Sequence, residues 1–190
     1  MDGQRGKLAE RVSIYFAKRS QQPYQPWQFV ASIMFGATIE LVVIPGTIIV
    51  GGKWLDRVLG LGTIMSNPLT RYVGGLLILA GFSWLGWSIL WQHWHGQGTP
   101  LPFVPTRVLL TTGPYRYCRN PMALGAILWL SGLAVAVNSP SALIGGVVLF
   151  ATILLLYIHL IEERELALRF GKEYEQYRHR TPFVIPRLFR

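Results

Sequence analysis

The sequence predicts an all-α integral membrane protein with about four transmembrane helices, a long binding loop before the third and an extended helix after the fourth. Three observations point there. Half of the 190 residues are hydrophobic and only 14% are charged, which is apolar for a soluble domain of this size. The apolar residues gather in four runs, 27–50, 72–91, 121–137 and 142–160, each near the roughly 20 residues a helix needs to cross hydrocarbon. The basic residues sit between those runs rather than along one stripe, so a net charge of +9 suits a membrane interface better than nucleic acid.

Residues 1–26 read as a basic lead-in. They lack the short apolar core and small-residue cleavage site of a signal peptide and are expected to be retained. The first span carries Glu40 near its centre. An intramembrane carboxylate is costly, so Glu40 is either a functional group or a hydrogen-bonded one near Ser83 or Ser88. Lys53, Asp56 and Arg57 interrupt residues 51–68, which predicts a short interfacial or re-entrant piece, with a fifth short span as the alternative. The third and fourth spans are joined by Asn138-Ser139-Pro140-Ser141, stop and start chemistry in one place, and should form an antiparallel hairpin. Gly125, Ser131, Gly132, Gly145 and Gly146 would let its backbones approach closely.

Helical periodicity continues past the fourth span through residues 159–177, with Gly171 as a local break. Pro182 and Pro186 forbid a regular helix in the tail, where Phe183, Ile185, Leu188 and Phe189 alternate with Arg187 and Arg190 as in a segment lying on headgroups. Trp27, Trp54, Trp91 and Trp94 suit interface anchoring. With four spans, fifteen Lys and Arg fall on one side and three on the other, which orients both termini and the 92–120 loop toward the cytoplasm. Three parts result: a basic segment (1–26), two spans with their connection (27–91) and a core of loop, hairpin, helix and tail (92–190).

Chemistry concentrates in that core. Residues 94–121 are rich in Gly, Pro and aromatics and read as an ordered binding loop. Gly96 and Gly98 in Gly-Gln-Gly permit close backbone approach to a ligand. Tyr115 and Tyr117 offer ring faces, and Arg116 and Arg119 offer donors for a carboxylate. Asn120 and Pro121 are a natural cap and first residue for the third span. Cys118, the sole cysteine, excludes an intramolecular disulfide and reads as a packing residue. Glu162 and Glu163 sit where the fourth helix leaves the bilayer, with His159 one turn earlier. Two carboxylates there suit a cationic ligand. One His and two Glu on a single helix lack the further ligands of a closed metal site, so no metal is expected.

The order Gly113-Pro114-Tyr115, Arg119-Asn120-Pro121-Met122-Ala123, Glu162-Glu163 and Phe170-Gly171-Lys172-Glu173-Tyr174-Glu175-Gln176-Tyr177 resembles the integral membrane methyltransferases of the isoprenylcysteine carboxyl methyltransferase and phospholipid N-methyltransferase superfamily. The likeness covers residues 96–186. It implies S-adenosylmethionine as cofactor, contacted by Leu109, Leu110, Tyr115, Asn120, Pro121, Met122, Ala123 and the pair Glu162 and Glu163. Gly96 and Gly98 look like the family's GxG element, and His159 falls where a basic residue faces the acceptor. Ala123 stands where the family usually has Tyr, and Asn120 where it more often has His. The acceptor implied is lipophilic or membrane-embedded, an isoprenylcysteine carboxylate or a phospholipid amine. An NADPH-dependent membrane sterol or enone reductase has a similar carboxy-terminal pattern, and a non-catalytic scaffold of the same fold is the third reading.

Overall fold

The computed structural model describes residues 2–19, 25–64, 68–96 and 106–187, which are helical with no strand among them. Among the described residues are eight α-helices: α1 (Asp2–Arg19), α2 (Pro26–Thr38), α3 (Ile44–Leu59), α4 (Leu69–Gly96), α5 (Pro121–Ala136), α6 (Val148–Tyr157), α7 (Glu163–Phe170) and α8 (Lys172–Arg180). Wide π turns at Ile39–Val43, Ala142–Val147 and Ile158–Glu162 join or lead into several of them. Three helices are long and apolar enough to cross a membrane: Pro26–Leu59, Leu69–Gly96 and Ala142–Phe170.

Two expectations change. The first helix does not stop at residue 50 but runs to Leu59, where Gly60 adopts a left-handed conformation (φ 63°) and ends it, so residues 51–59 are not a separate interfacial piece. The expected third span is apolar but only 16 residues long, about 24 Å against the roughly 30 Å of hydrocarbon. Its end is set by the turn that follows, in which Asn138 takes a positive φ of 59°.

The chain divides into two compact units: residues 1–36, 88–120 and 154–190, and residues 37–87 and 121–153. In the second, Ile48, Leu85, Ala126, Trp129, Leu130, Ala134, Ala142 and Val147 form the buried cluster. Its glycines serve different neighbours from those expected of the hairpin. A Cβ at Gly125 would lie 2.7 Å from the Leu85 nitrogen, and one at Gly132 2.6 Å from that of Ile78, so both glycines seat α5 against α4. Gly146 faces Ile48 of α3, nothing lies within 4 Å of the Cβ position at Gly145, and the Ser131 hydroxyl bonds to Ile127 of its own helix. Asp56 completes the hairpin start. Its carboxylate accepts from the Ser139 hydroxyl and from the Ser141 amide at 2.9 Å, which satisfies donors that a helix N-terminus leaves without intrahelical partners. Glu40 lies in the first π turn and accepts from Trp129 Nε1 at 3.1 Å; its partner is an indole, not Ser83 or Ser88.

In the first unit α1 lies along α7 and the π turn before it. Gly171, at φ 53°, separates α7 from α8. The tail is bonded to the loop before α5. Arg119 and Asn120 donate their amides to the carbonyls of Pro182 and Phe183 at 2.9 and 3.2 Å, and Arg187 donates to Tyr117 at 3.1 Å. Leu188 to Arg190 lie outside the described residues.

Candidate functional site

The loop that precedes α5 is described from Thr106 onward and is held at three points. Arg169 on α7 bonds to the Thr106 carbonyl and pairs with Glu165 at 2.7 Å. The Tyr177 hydroxyl on α8 donates to the Tyr115 carbonyl at 2.7 Å. The tail then binds the loop's end through the amides of residues 119 and 120, and the Asn120 side chain adds a bond to Phe183 at 2.9 Å. Inside the loop a short 3-10 turn, Gly113–Arg116, turns the chain. Gly113 has φ 61°, and a Cβ there would come within 2.4 Å of the Trp91 ring, so conformation and space both require glycine.

Glu163 is the centre of this unit. Its side chain is 5% exposed, with Arg119 Nη1 2.7 Å from one oxygen and His159 Nδ1 3.3 Å from the other. The Tyr174 hydroxyl also lies against it. Phe183 packs on both of these partners: the Arg119 guanidinium sits 5.5 Å above its ring, and the His159 ring meets it edge-on at 6.1 Å. Among the described residues Arg119 Nε is buried without a hydrogen-bond partner, a donor whose desolvation is uncompensated unless something binds there. Beside these groups is a cavity of about 230 Å³ lined by His159, Leu160, Glu163, Arg164, Ala167 and Arg178.

Tyr115, Tyr174 and Tyr177 are neutral donors. Burial, and then the charge of Glu162, push the Tyr115 phenol far above its ordinary value; burial does the same to Tyr174 and Tyr177. Tyr115 uses its hydroxyl to bond Gln92 at 3.0 Å. Cys118 is fully buried, and burial raises its thiol to about 11, so it stays protonated near neutrality and does not act as a nucleophile.

Of the residues expected in the site, His159, Glu162, Glu163, Leu109, Leu110, Tyr115, Asn120 and Gly96 all belong to this unit. Pro121, Met122 and Ala123 open α5 in the other unit, where Pro121 and Ala123 are buried and Met122 packs against the apolar cluster. Gly98 lies outside the described residues. Gly96 has a packing reason of its own: a Cβ there would meet Thr106 at 2.9 Å and Leu110 at 3.3 Å, and its carbonyl accepts from Arg107 at 2.8 Å. Among the described residues no group of three or more His, Cys, Asp or Glu could hold a metal. Arg169, Phe183 and Gln92 were not singled out for the site. Their roles depend on partners distant in the chain, and only the paired tyrosines of α8 left a local signal.

The donor set fits a zwitterionic, cationic ligand. Glu163 offers a buried carboxylate, while Arg164 and Arg178 offer guanidinium donors to a carboxylate of the ligand. The cavity is smaller than the roughly 300–1,000 Å³ of drug-sized sites, so it suits one end of such a molecule.

Residues 69–173 match the sequence profile of the family described as phospholipid methyltransferase. Methanethiol S-methyltransferase 2 of Bradyrhizobium diazoefficiens is 33% identical over 128 residues, 59% of this chain and 47% of that protein. The protein-S-isoprenylcysteine O-methyltransferase of Mus musculus is 36% identical over 83 residues, 43% of this chain and 28% of that protein. Methanethiol S-methyltransferase 1 of Bradyrhizobium diazoefficiens is 31% identical over 112 residues, 57% of this chain and 35% of that protein. The chain thus spans less than half the length of each relative.

Proposed function

This chain belongs to the phospholipid methyltransferase family, and from that premise we propose that it is a membrane methyltransferase that uses S-adenosylmethionine to methylate a lipophilic acceptor. The observation that carries the reading is the buried Glu163 carboxylate, held by Arg119 and His159 at the wall of a cavity that also bears Arg164 and Arg178. Bound S-adenosylmethionine supplies a methyl group on a cationic sulfur, an electrophile that needs alignment more than acid-base chemistry.

Each residue then has a part. Glu163, with Glu162 beside it, supplies negative charge for a cationic ligand. Arg119 holds Glu163 in place, and Arg164 and Arg178 face a ligand carboxylate. Tyr115 stands as a neutral wall of the loop, with Leu109, Leu110 and Asn120 along the same segment; Pro121, Met122, Ala123, Gly96 and Gly98 remain assigned by family position. His159, its side chain 57% exposed, is the group placed to orient an acceptor. With α5 counted as a short fourth crossing, the charge distribution supports a cytoplasmic setting for the loop and both termini. The three relatives carry methyltransferase names, and the NADPH-dependent reductase alternative draws no support from them.

Purified protein in detergent should transfer a labelled methyl group from S-adenosylmethionine to at least one of three acceptor classes: a small lipophilic thiol, an isoprenylated cysteine carboxylate or an ethanolamine phospholipid. Binding of NADPH with no binding of S-adenosylmethionine would refute the proposal.

A further inference from the structure

We propose that α1, which lies outside the family-matching region, is part of the site's machinery, and that Ser13 on it is a positioning residue for Glu163. Ser13 has no exposed surface, and its hydroxyl donates to the Ile161 carbonyl at 3.0 Å. Ile161 belongs to the π turn Ile158–Glu162, which hands directly to Glu163.

That turn governs which side chain points where. An α-helix advances 100° per residue, so one extra residue in a π turn rotates every later side chain by about that angle relative to an uninterrupted helix. Across this turn His159 and Glu163 still meet, at 3.3 Å, and Glu163 faces Arg119 at 2.7 Å. Its neighbour Glu162 makes no ion pair among the described residues. A return to regular α geometry would swing α7 by roughly a quarter turn and take Glu163 away from Arg119.

A π turn is a rare departure from α-helical geometry, met frequently at functional sites, and a hydrogen bond from outside the helix favours it over the regular form. Ser13 brings that support from the other end of the chain. It sits mid-way along α1, and α1 lies along both the π turn and α7. Replacing Ser13 by alanine removes its hydrogen bond to the Ile161 carbonyl while leaving the apolar contacts of α1 in place. Its effect should therefore be read at Glu163 more than in overall stability.

The inference rests on the cofactor reading above, so its test has one arm that needs no cofactor. Ser13→Ala is compared with wild type and with Ser139→Ala, which breaks the buried bond to Asp56 in the other unit. Hydrogen exchange of the ligand-free protein should show faster exchange at the amides of residues 158–166 in Ser13→Ala alone. The dissociation constant for S-adenosylmethionine should rise by about three- to tenfold in Ser13→Ala, as for one lost hydrogen bond, and stay at the wild-type value in Ser139→Ala. Unchanged exchange at 158–166 overturns the proposal, and so does faster exchange with unchanged affinity. If wild-type protein binds no S-adenosylmethionine, the cofactor reading falls instead, and the exchange result alone decides for or against Ser13.

Discussion

Two carboxylates in apolar helices, each at a π turn, have been given opposite surroundings. Glu163 has a guanidinium at 2.7 Å and an imidazole at 3.3 Å. Glu40 has one neutral indole N–H at 3.1 Å and no ion pair among the described residues. Desolvating a carboxylate is expensive, and a neutral donor offsets less of that cost than a guanidinium does. The guanidinium and imidazole set Glu163 apart as the carboxylate with ionisable partners, whereas Glu40 serves as a hydrogen-bond acceptor that ties its π turn to α5. A polar residue in an apolar helix is thus not enough to locate a site; its partners decide.

This contrast can be broken most directly at Arg119. Arg119→Ala strands Glu163 as a buried, half-compensated charge and should cost about 3–5 kcal/mol of stability, seen as a large fall in the unfolding midpoint in detergent. Adding Glu163→Gln to that variant should restore part of the loss, because the double variant no longer buries a charge. If the two single losses simply add, the ion pair does not hold this unit together. Trp129→Phe removes the only hydrogen-bond donor shown for Glu40 along with some buried volume, and a smaller loss of about 1–3 kcal/mol is expected, with methyl transfer retained in the folded fraction. Glu40→Gln keeps an acceptor for the indole and should change stability by less than about 1 kcal/mol. A Glu40→Gln protein that folds normally but transfers no methyl group would reverse the assignment of the two carboxylates.

The long apolar runs, the stop at Asn138 and the break at Gly171 were legible because each is a local property of a few residues. The π turns were not. The runs leading into them are apolar on every side, so a phase shift of one residue leaves no mark on their hydropathy pattern, and nothing in residues 39–43 or 158–162 announces it. Gly125 and Gly132 were recognisable as contact points, but composition does not say which neighbouring helix they face. For the site, the double Glu and the Arg119-Asn120-Pro121 stretch stood out by residue type. The Arg119–Glu163 pairing, the Phe183 ring against Arg119 and His159, and the tail's bonds to residues 117–120 are tertiary. Pro182 and Pro186 indicate that the tail is not helical, but they carry no information about its partner.

The central claim is that Glu163 is the carboxylate that binds the cofactor and Glu40 is not. Equilibrium binding of labelled S-adenosylmethionine to purified wild type, Glu163→Gln and Glu40→Gln tests it in one experiment. Loss of a buried, paired charge at the site should weaken binding at least about thirtyfold in Glu163→Gln, while Glu40→Gln binds as wild type does. Wild-type affinity in a folded Glu163→Gln protein would contradict the account.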